Sequence, residues 1–192
     1  PAQRNTNAST SSVSSDAVSD SGIHLSTSGA GQGDSTSDYQ VAPSSPRLLT
    51  ISKIGVQARV LGVGVTNTNN IEAPSNAVDT GWYTSSVKPG EDGAMLIDGH
   101  SSPSGGGVFG GLSKLKNGDL MTIEKGDKTV LTYEVVAVER VPVEQVDMAK
   151  VLSPHAGVSK ALNLITCAGA WDRSSQSMVD RVIVYTKQVK TA

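Results

Sequence analysis

The sequence holds one cysteine, Cys167, which closes the apolar run Leu162-Asn163-Leu164-Ile165-Thr166. Fourteen residues further on, Arg181 opens a second β-rich run, Val182-Ile183-Val184-Tyr185. His100 stands where the earlier run Ala94-Met95-Leu96-Ile97-Asp98-Gly99 gives way to Ser101-Ser102-Pro103. A thiol, an imidazole and a guanidinium at strand starts or ends are the parts of an acyl-transfer site. The thiol is the nucleophile, the imidazole carries the proton because it titrates near neutrality, and the guanidinium stabilises a thiolate or an oxyanion.

Each residue also admits a plainer role. Unpaired cysteine is often a small buried hydrophobe. Here, however, Ala168-Gly169-Ala170-Trp171-Asp172-Arg173-Ser174-Ser175 follows it and reads as a polar loop, which puts Cys167 at a mouth. One cysteine excludes an internal disulfide and four-cysteine metal centres. Arg181 could instead be an edge-strand arginine paired with Asp180 or Glu134, and spacing leaves both readings open. Arg173 is a second candidate in the same loop, but Arg181 leads a strand. His24, in a Ser-rich tail, and His155, beside Pro154, fit ordinary surface positions. Alternation along a strand puts Asp98 on the same face as His100, so a triad acid is possible without being required.

The elements that must carry these groups are β-rich. Runs over Arg47–Ile54, Arg59–Val65, Ala94–Asp98, Leu120–Glu124, Thr129–Val138, Leu162–Thr166 and Arg181–Lys187 are separated by Gly, Pro, Asn or Asp turns. The pattern predicts an all-β barrel or sandwich with short helices at Val108–Leu115 and Val146–Leu152. Ser104-Gly105-Gly106-Gly107 lacks the lysine and hydroxyl of a phosphate loop and reads as a turn. Trp171 either lines a pocket or covers the barrel end, and Trp82 with Tyr83 packs as a lid over an early connection.

With 192 residues, 37% hydrophobic and 4% aromatic, the chain suits one domain and a polar appendage. Its net charge of −2 carries no nucleic-acid footprint. Residues 1–46 are rich in Ser, Thr, Gly and Asp, with one arginine against four aspartates, and read as a flexible linker. Residues 47–192 form the predicted globular domain. No apolar run is long enough for a membrane span, and no secretory signal pattern is present. The numbering begins inside low-complexity sequence, as in a shortened chain or mature ectodomain. Glu91, Asp92, Glu144 and Asp147 read as solvated loop charge, so neither metal nor cofactor is expected.

From about Leu48 to Lys187 these residues resemble the sortases, cysteine transpeptidases of the Gram-positive cell surface. Ile51-Ser52-Lys53-Ile54-Gly55-Val56 looks like the family's opening strand and Asp79-Thr80-Gly81-Trp82-Tyr83 like the stretch before its fourth strand. Ile97-Asp98-Gly99-His100 is similar to the histidine motif, Gly107-Val108-Phe109-Gly110-Gly111-Leu112 to the short helix after it, and Lys116-Asn117-Gly118-Asp119 to the next turn. Leu164-Ile165-Thr166-Cys167 fits the TLxTC signature, with Asn163 at the first Thr position, and Arg181 falls at the family's arginine. Trp82-Tyr83 and Lys88-Pro89-Gly90-Glu91-Asp92-Gly93 look more like the class D, E and F branches than class A.

The resemblance implies a closed eight-stranded sortase-type β-barrel, with a groove walled by the connection between Val141 and Ala161. It implies that Cys167, His100 and Arg181 cleave an LPxTG-like signal between Thr and Gly through a thioester. Thr166, the backbone N–H near Ala168, and Trp171 would contact substrate. The acceptor would be a peptidoglycan amine or a pilin lysine, and a membrane anchor upstream of Pro1 would hold the domain at the extracytoplasmic surface. Leu25-Ser26-Thr27-Ser28-Gly29 faintly echoes such a signal without its proline, which raises a pseudosubstrate reading. Two rivals stand beside this one: a hydrolytic cysteine peptidase, indifferent to added amines, and a non-catalytic surface module, indifferent to loss of the thiol.

Overall fold

The computed structural model describes residues 36–67 and 70–190, and its aliphatic runs form eight strands. These are β1 (Pro46–Ile51), β2 (Val56–Val63), β3 (Thr80–Tyr83), β4 (Gly93–Gly99), β5 (Leu120–Lys125), β6 (Val130–Pro142), β7 (Lys160–Asp172) and β8 (Ser177–Val189). They close into a barrel in the order β1-β2-β3-β4-β7-β8-β6-β5, with β5 returning to β1. The all-β fold predicted by the strand pattern, as barrel or sandwich, and the closed eight-stranded barrel implied by the resemblance are observed. Two pairs, β2–β3 and β4–β7, are parallel. Parallel neighbours cannot be joined by a tight hairpin: β2 and β3 are linked by the long connection over residues 64–79, and β7 comes back beside β4 only after β5 and β6.

Alternation sorts side chains between two environments. Leu49, Ile51, Val60, Met95, Ile97, Ile123, Leu162, Leu164, Val182 and Val184 fill the interior, with Phe109 and Leu112 from a loop. The opposite face of β4, β7 and β8 carries Leu96, Ile183 and Tyr185, covered by Val151, Val146 and Leu152 of the β6–β7 connection. Asn163 fastens that cover by donating from Nδ2 to the carbonyls of Val151 (2.8 Å) and Ser153 (3.0 Å).

Helical structure is shorter than predicted. Val108–Leu115 holds only a 3-10 turn at Leu112–Lys114, because Gly105 and Gly107 take positive φ and the chain turns back onto His100. Val146–Leu152 reduces to α1 (Met148–Val151), capped by the Asp147 carboxylate on two backbone N–H groups. The opening strand ends at Ile51 and gives way to a 3-10 turn over Ser52–Ile54. Trp82 packs into the interior cluster rather than forming a lid, its Nε1–H donating to Ser86 Oγ (3.1 Å).

Within the segment assigned to the linker, residues 36–45 meet the barrel. Arg47, 3% exposed, donates to Glu124 (2.8 Å) and to the carbonyls of Tyr39 (2.6 Å), Ser37 (3.1 Å) and Thr36. Tyr39 Oη donates to Val60 O (2.8 Å). Residues 1–35, including Leu25–Gly29, lie outside the described residues.

Candidate active site

Register brings the chemistry-bearing residues together. Asp98 of β4 sits opposite Ile165 of the parallel strand β7. Two residues on, His100 therefore comes beside Cys167, and Thr166 extends the contact by donating from Oγ1 to Gly99 O (2.6 Å). Across the other edge of β7, Cys167 is the registered partner of Arg181. With adjacent strands about 4.8 Å apart, His100, Cys167 and Arg181 form one row on the outer face of three neighbouring strands. Asp98, Ile165 and Ile183 form the next row.

A cavity of about 360 Å³ opens over these rows. Its floor includes Asp98, His100, Ile165, Cys167 and Arg181; Asn70, Ile71 and Ala73 contribute one wall and Met148 another. Thr166 also borders it, whereas Ala168 and Trp171 do not. Trp171 lies further along the hairpin, 55% exposed, opposite Met178.

The region after Cys167 is not the long loop expected. β7 runs on to Asp172, and the hairpin turns through only residues 173–176. A register break between Ala168 and Trp171, with Gly169 at φ +86°, marks a bulge. Small residues and a bulge let strand pairing continue through a polar stretch. Asp172 then closes the turn by accepting from Ser174 and Ser175, which holds its carboxyl down at about 2.

Arg181 takes neither acidic partner considered for it. Asp180 pairs with Arg140 and Glu134 with Lys187. Arg181 Nη1 donates to the carbonyls of Met178 (2.8 Å) and Asp180 (2.9 Å), and Nη2 donates to Ser177 Oγ (3.0 Å). The guanidinium is thereby fixed by the hairpin. Its Nε–H and one Nη2–H have no partner among the described residues.

His100 is held from two sides. Its carbonyl accepts from Phe109 N (2.9 Å), and its Nε2 lies 2.8 Å from the carbonyl of buried Pro74. A carbonyl only accepts, so Nε2 carries the hydrogen and Nδ1 is the remaining basic nitrogen. The loop bearing Pro74 is anchored by Asp79, which receives both Arg59 Nε (2.9 Å) and Nη2 (2.7 Å) and also Asn76 Nδ2 (2.7 Å). The Arg59 hydrogen bonds hold the Asp79 carboxyl below the usual carboxylate range. Val108 N–H to Ala77 O (2.8 Å) ties this loop to the one following His100.

Asp98 stands apart electrostatically. Burial pushes its carboxyl up to about 7, against which only its own backbone N–H works. Its Oδ1 is buried, and no described group donates to it. The sequence placed Asp98 on the face of His100 but could not show this isolation. Pro74, Ile71 and Met148 were invisible as site residues, since they arrive from connections whose course only the barrel defines. His155 lies against Tyr185, their ring centroids 5.1 Å apart, away from the row. Among the described residues no group of three or more His, Cys, Asp or Glu side chains is arranged to hold a metal ion.

The profile of the Sortase domain matches residues 49–189. In the solved structures, the chain resembles a Clostridium perfringens sortase D5 transpeptidase, at 24% identity over 76% of this chain and 79% of that one, with a TM-score of 0.54. It also resembles a lid mutant of sortase A from Corynebacterium diphtheriae, at 22% identity, 79% and 74% coverage and a TM-score of 0.58. A third likeness is sortase C-1 from Actinomyces oris, at 20% identity, 75% and 73% coverage and a TM-score of 0.57. These three likenesses are of fold. No curated protein matches the sequence significantly.

Proposed function

The chain belongs to the sortase family of cysteine transpeptidases, and on that premise we propose that Cys167, His100 and Arg181 transfer the acyl part of an LPxTG-like sorting signal to an amine. The observation that supports this reading is the single row of the three side chains across β4, β7 and β8, open to one cavity.

In the first step Cys167 Sγ, as thiolate with its proton held on His100 Nδ1, attacks the carbonyl carbon of the Thr–Gly bond. The carbonyl oxygen becomes an oxyanion, received by the unpartnered N–H groups of Arg181 and by backbone N–H at Ala168, beside the bulge. Collapse breaks the C–N bond as His100 delivers a proton to the departing glycine amine, leaving a Cys167 thioester. An incoming amine then attacks the thioester carbonyl, gives its proton to His100 and expels the thiolate. Pinning of Nε2–H on Pro74 leaves Nδ1 as the nitrogen that exchanges the proton. Thr166 acts from beneath by joining β7 to Gly99. Trp171, outside the cavity, is reserved for the approach of substrate or amine along the hairpin.

We place this activity at the extracytoplasmic surface of a Gram-positive-type cell. The substrates are then proteins with a C-terminal sorting signal, and the acceptor is a peptidoglycan amine or a pilin lysine. Residues 47–192 are the catalytic domain in this reading, residues 36–46 pack on it, and the segment before them leads to a membrane anchor.

Mass spectrometry of an LPxTG-type peptide library incubated with the protein and triglycine tests the reading. Triglycine-bearing products are expected, reduced at least roughly 10³-fold by Cys167→Ala and His100→Ala and about 10²-fold by Arg181→Ala. Cleavage that ignores triglycine would identify a hydrolytic peptidase instead. Absence of any Cys167-dependent product would overturn the enzymatic assignment of these residues.

A further inference from the structure

We propose that Asp98 is a specificity-determining residue that receives a basic side chain from the acyl side of the sorting peptide, an inference that rests on the transpeptidase reading above.

Position comes first. Asp98 lies one strand repeat, about 7 Å, from His100 on the same face, and it lines the same cavity as Cys167. An extended peptide whose scissile carbonyl rests on Cys167 passes over this second row. The cavity spans the Cys167 row and the row of Asp98 and Ile165, and in this proposal the portion occupying it is the acyl portion, which stays attached through the thioester while the amine departs.

The chemistry of the slot is specific. Its walls near Asp98 are Ile71, Met148 and Ile165, which suit a methylene stem. The Asp98 carboxyl borders the cavity, and its Oδ1 is buried with no donor among the described residues. On β3 the registered partner of Asp98 is Gly81, where any Cβ would collide with Oδ1; the missing side chain makes the space into which the carboxyl turns. Arg181 shares the cavity but stands in the Cys167 row, held there by the hairpin, while Arg59 pairs with Asp79 and Lys150 with Glu139. An unpaired carboxylate in an apolar recess is unfavourable, and a lysine or arginine brought by the substrate offsets that cost while its stem covers the walls. A neutral apolar residue leaves the carboxyl desolvated and unpaired.

The test measures kcat/KM for transfer to triglycine by the full chain, using signal peptides with Lys, Arg, Gln, norleucine or Glu at each residue before the cleaved bond. At one of these positions Lys and Arg are expected to exceed norleucine by at least about tenfold. That ratio should fall to near unity in Asp98→Asn, and move toward norleucine in Asp98→Ala and in Gly81→Ala, whose Cβ displaces the carboxyl. A wild type without basic preference at any position would overturn the proposal, as would an Asp98→Asn protein that keeps the preference. If no peptide gives a Cys167-dependent product, the transpeptidase reading fails on its own terms. Calorimetric binding of the same peptides to Cys167→Ala, with and without Asp98→Asn, then still decides whether Asp98 selects a basic residue. Circular dichroism and thermal melting of each variant separate loss of selectivity from loss of fold.

Discussion

Burial, rather than any neighbouring charge, sets the behaviour of Asp98, and this yields a stability prediction independent of substrate. Its carboxyl is raised from 3.8 to about 7. The folded chain therefore holds a proton that the unfolded chain releases, and the Asp98 contribution to stability declines as pH rises from about 4 to about 7 and is flat on either side. At about 1.4 kcal/mol per pKa unit the decline is at most roughly 4 kcal/mol. Asp98→Asn, which cannot ionise, should raise the urea midpoint at pH 8 and lose that advantage at pH 4. A midpoint shift of equal size at both pH values would contradict the assignment. Arg181 invites a second test. Lysine cannot reproduce three fixed hydrogen bonds to the hairpin while keeping donors toward the cavity. Arg181→Lys is therefore expected to lower kcat about 10²-fold with little change in KM, and a near-wild-type kcat would deny the guanidinium its role.

Among the elements, the connection between β2 and β3 does most to shape the site, since it carries both Ile71 and the Pro74 carbonyl that orients His100. Its anchor is Asp79, 4% exposed at the side chain, against Arg59. Because the folded pKa of Asp79 lies below 3.8, its contribution is present above that value and is lost as pH falls through the folded one. Asp79→Asn should cost about 3 kcal/mol at pH 7, blunt acid unfolding below pH ~4, and reduce kcat as His100 loses its fixed acceptor. Unchanged urea midpoints at neutral pH would show that the pair does not hold the loop. On the β7–β8 hairpin, Gly169 combines φ +86° with a site where a Cβ would meet Asp180 Oδ2 and Val179 Cγ2 at 2.9 Å. Gly169→Ala should cost about 1–3 kcal/mol and disturb the Arg140–Asp180 pair, measured as a lower melting temperature; an unaltered one would mean that the bulge relaxes freely.

For the whole molecule, the barrel and its first described segment behave as one unit. Arg47 is almost fully buried, and three of its acceptors are the carbonyls of Thr36, Ser37 and Tyr39. Cutting the chain to begin at residue 47 leaves a buried guanidinium short of acceptors, and a loss of about 2 kcal/mol is expected in urea unfolding relative to a chain beginning at residue 36. Equal stability would show that residues 36–46 add nothing to the domain. The matched family region starts at residue 49, so this support lies outside it.

What the sequence by itself determined was local: aliphatic periodicity for most strands, turn residues between them, and the position of His100 at the end of β4; Cys167 and Arg181, expected at a strand end and a strand start, instead lie inside β7 and β8. The family resemblance supplied the barrel's closure and its eight strands; Thr80–Tyr83, too short to signal itself, resembles only the stretch before a strand, and the structure makes it β3. Tertiary structure alone decided that three residues distant along the chain share one row, because that depends on the registers β4–β7 and β7–β8. It also decided that strand pairing continues past Cys167, since a bulge and a capped turn satisfy a backbone that composition alone marks as loop. The isolation of Asp98 was equally invisible in the sequence: a carboxyl's protonation depends on what surrounds it in space, and here that is apolar walls, a bare glycine and no cation.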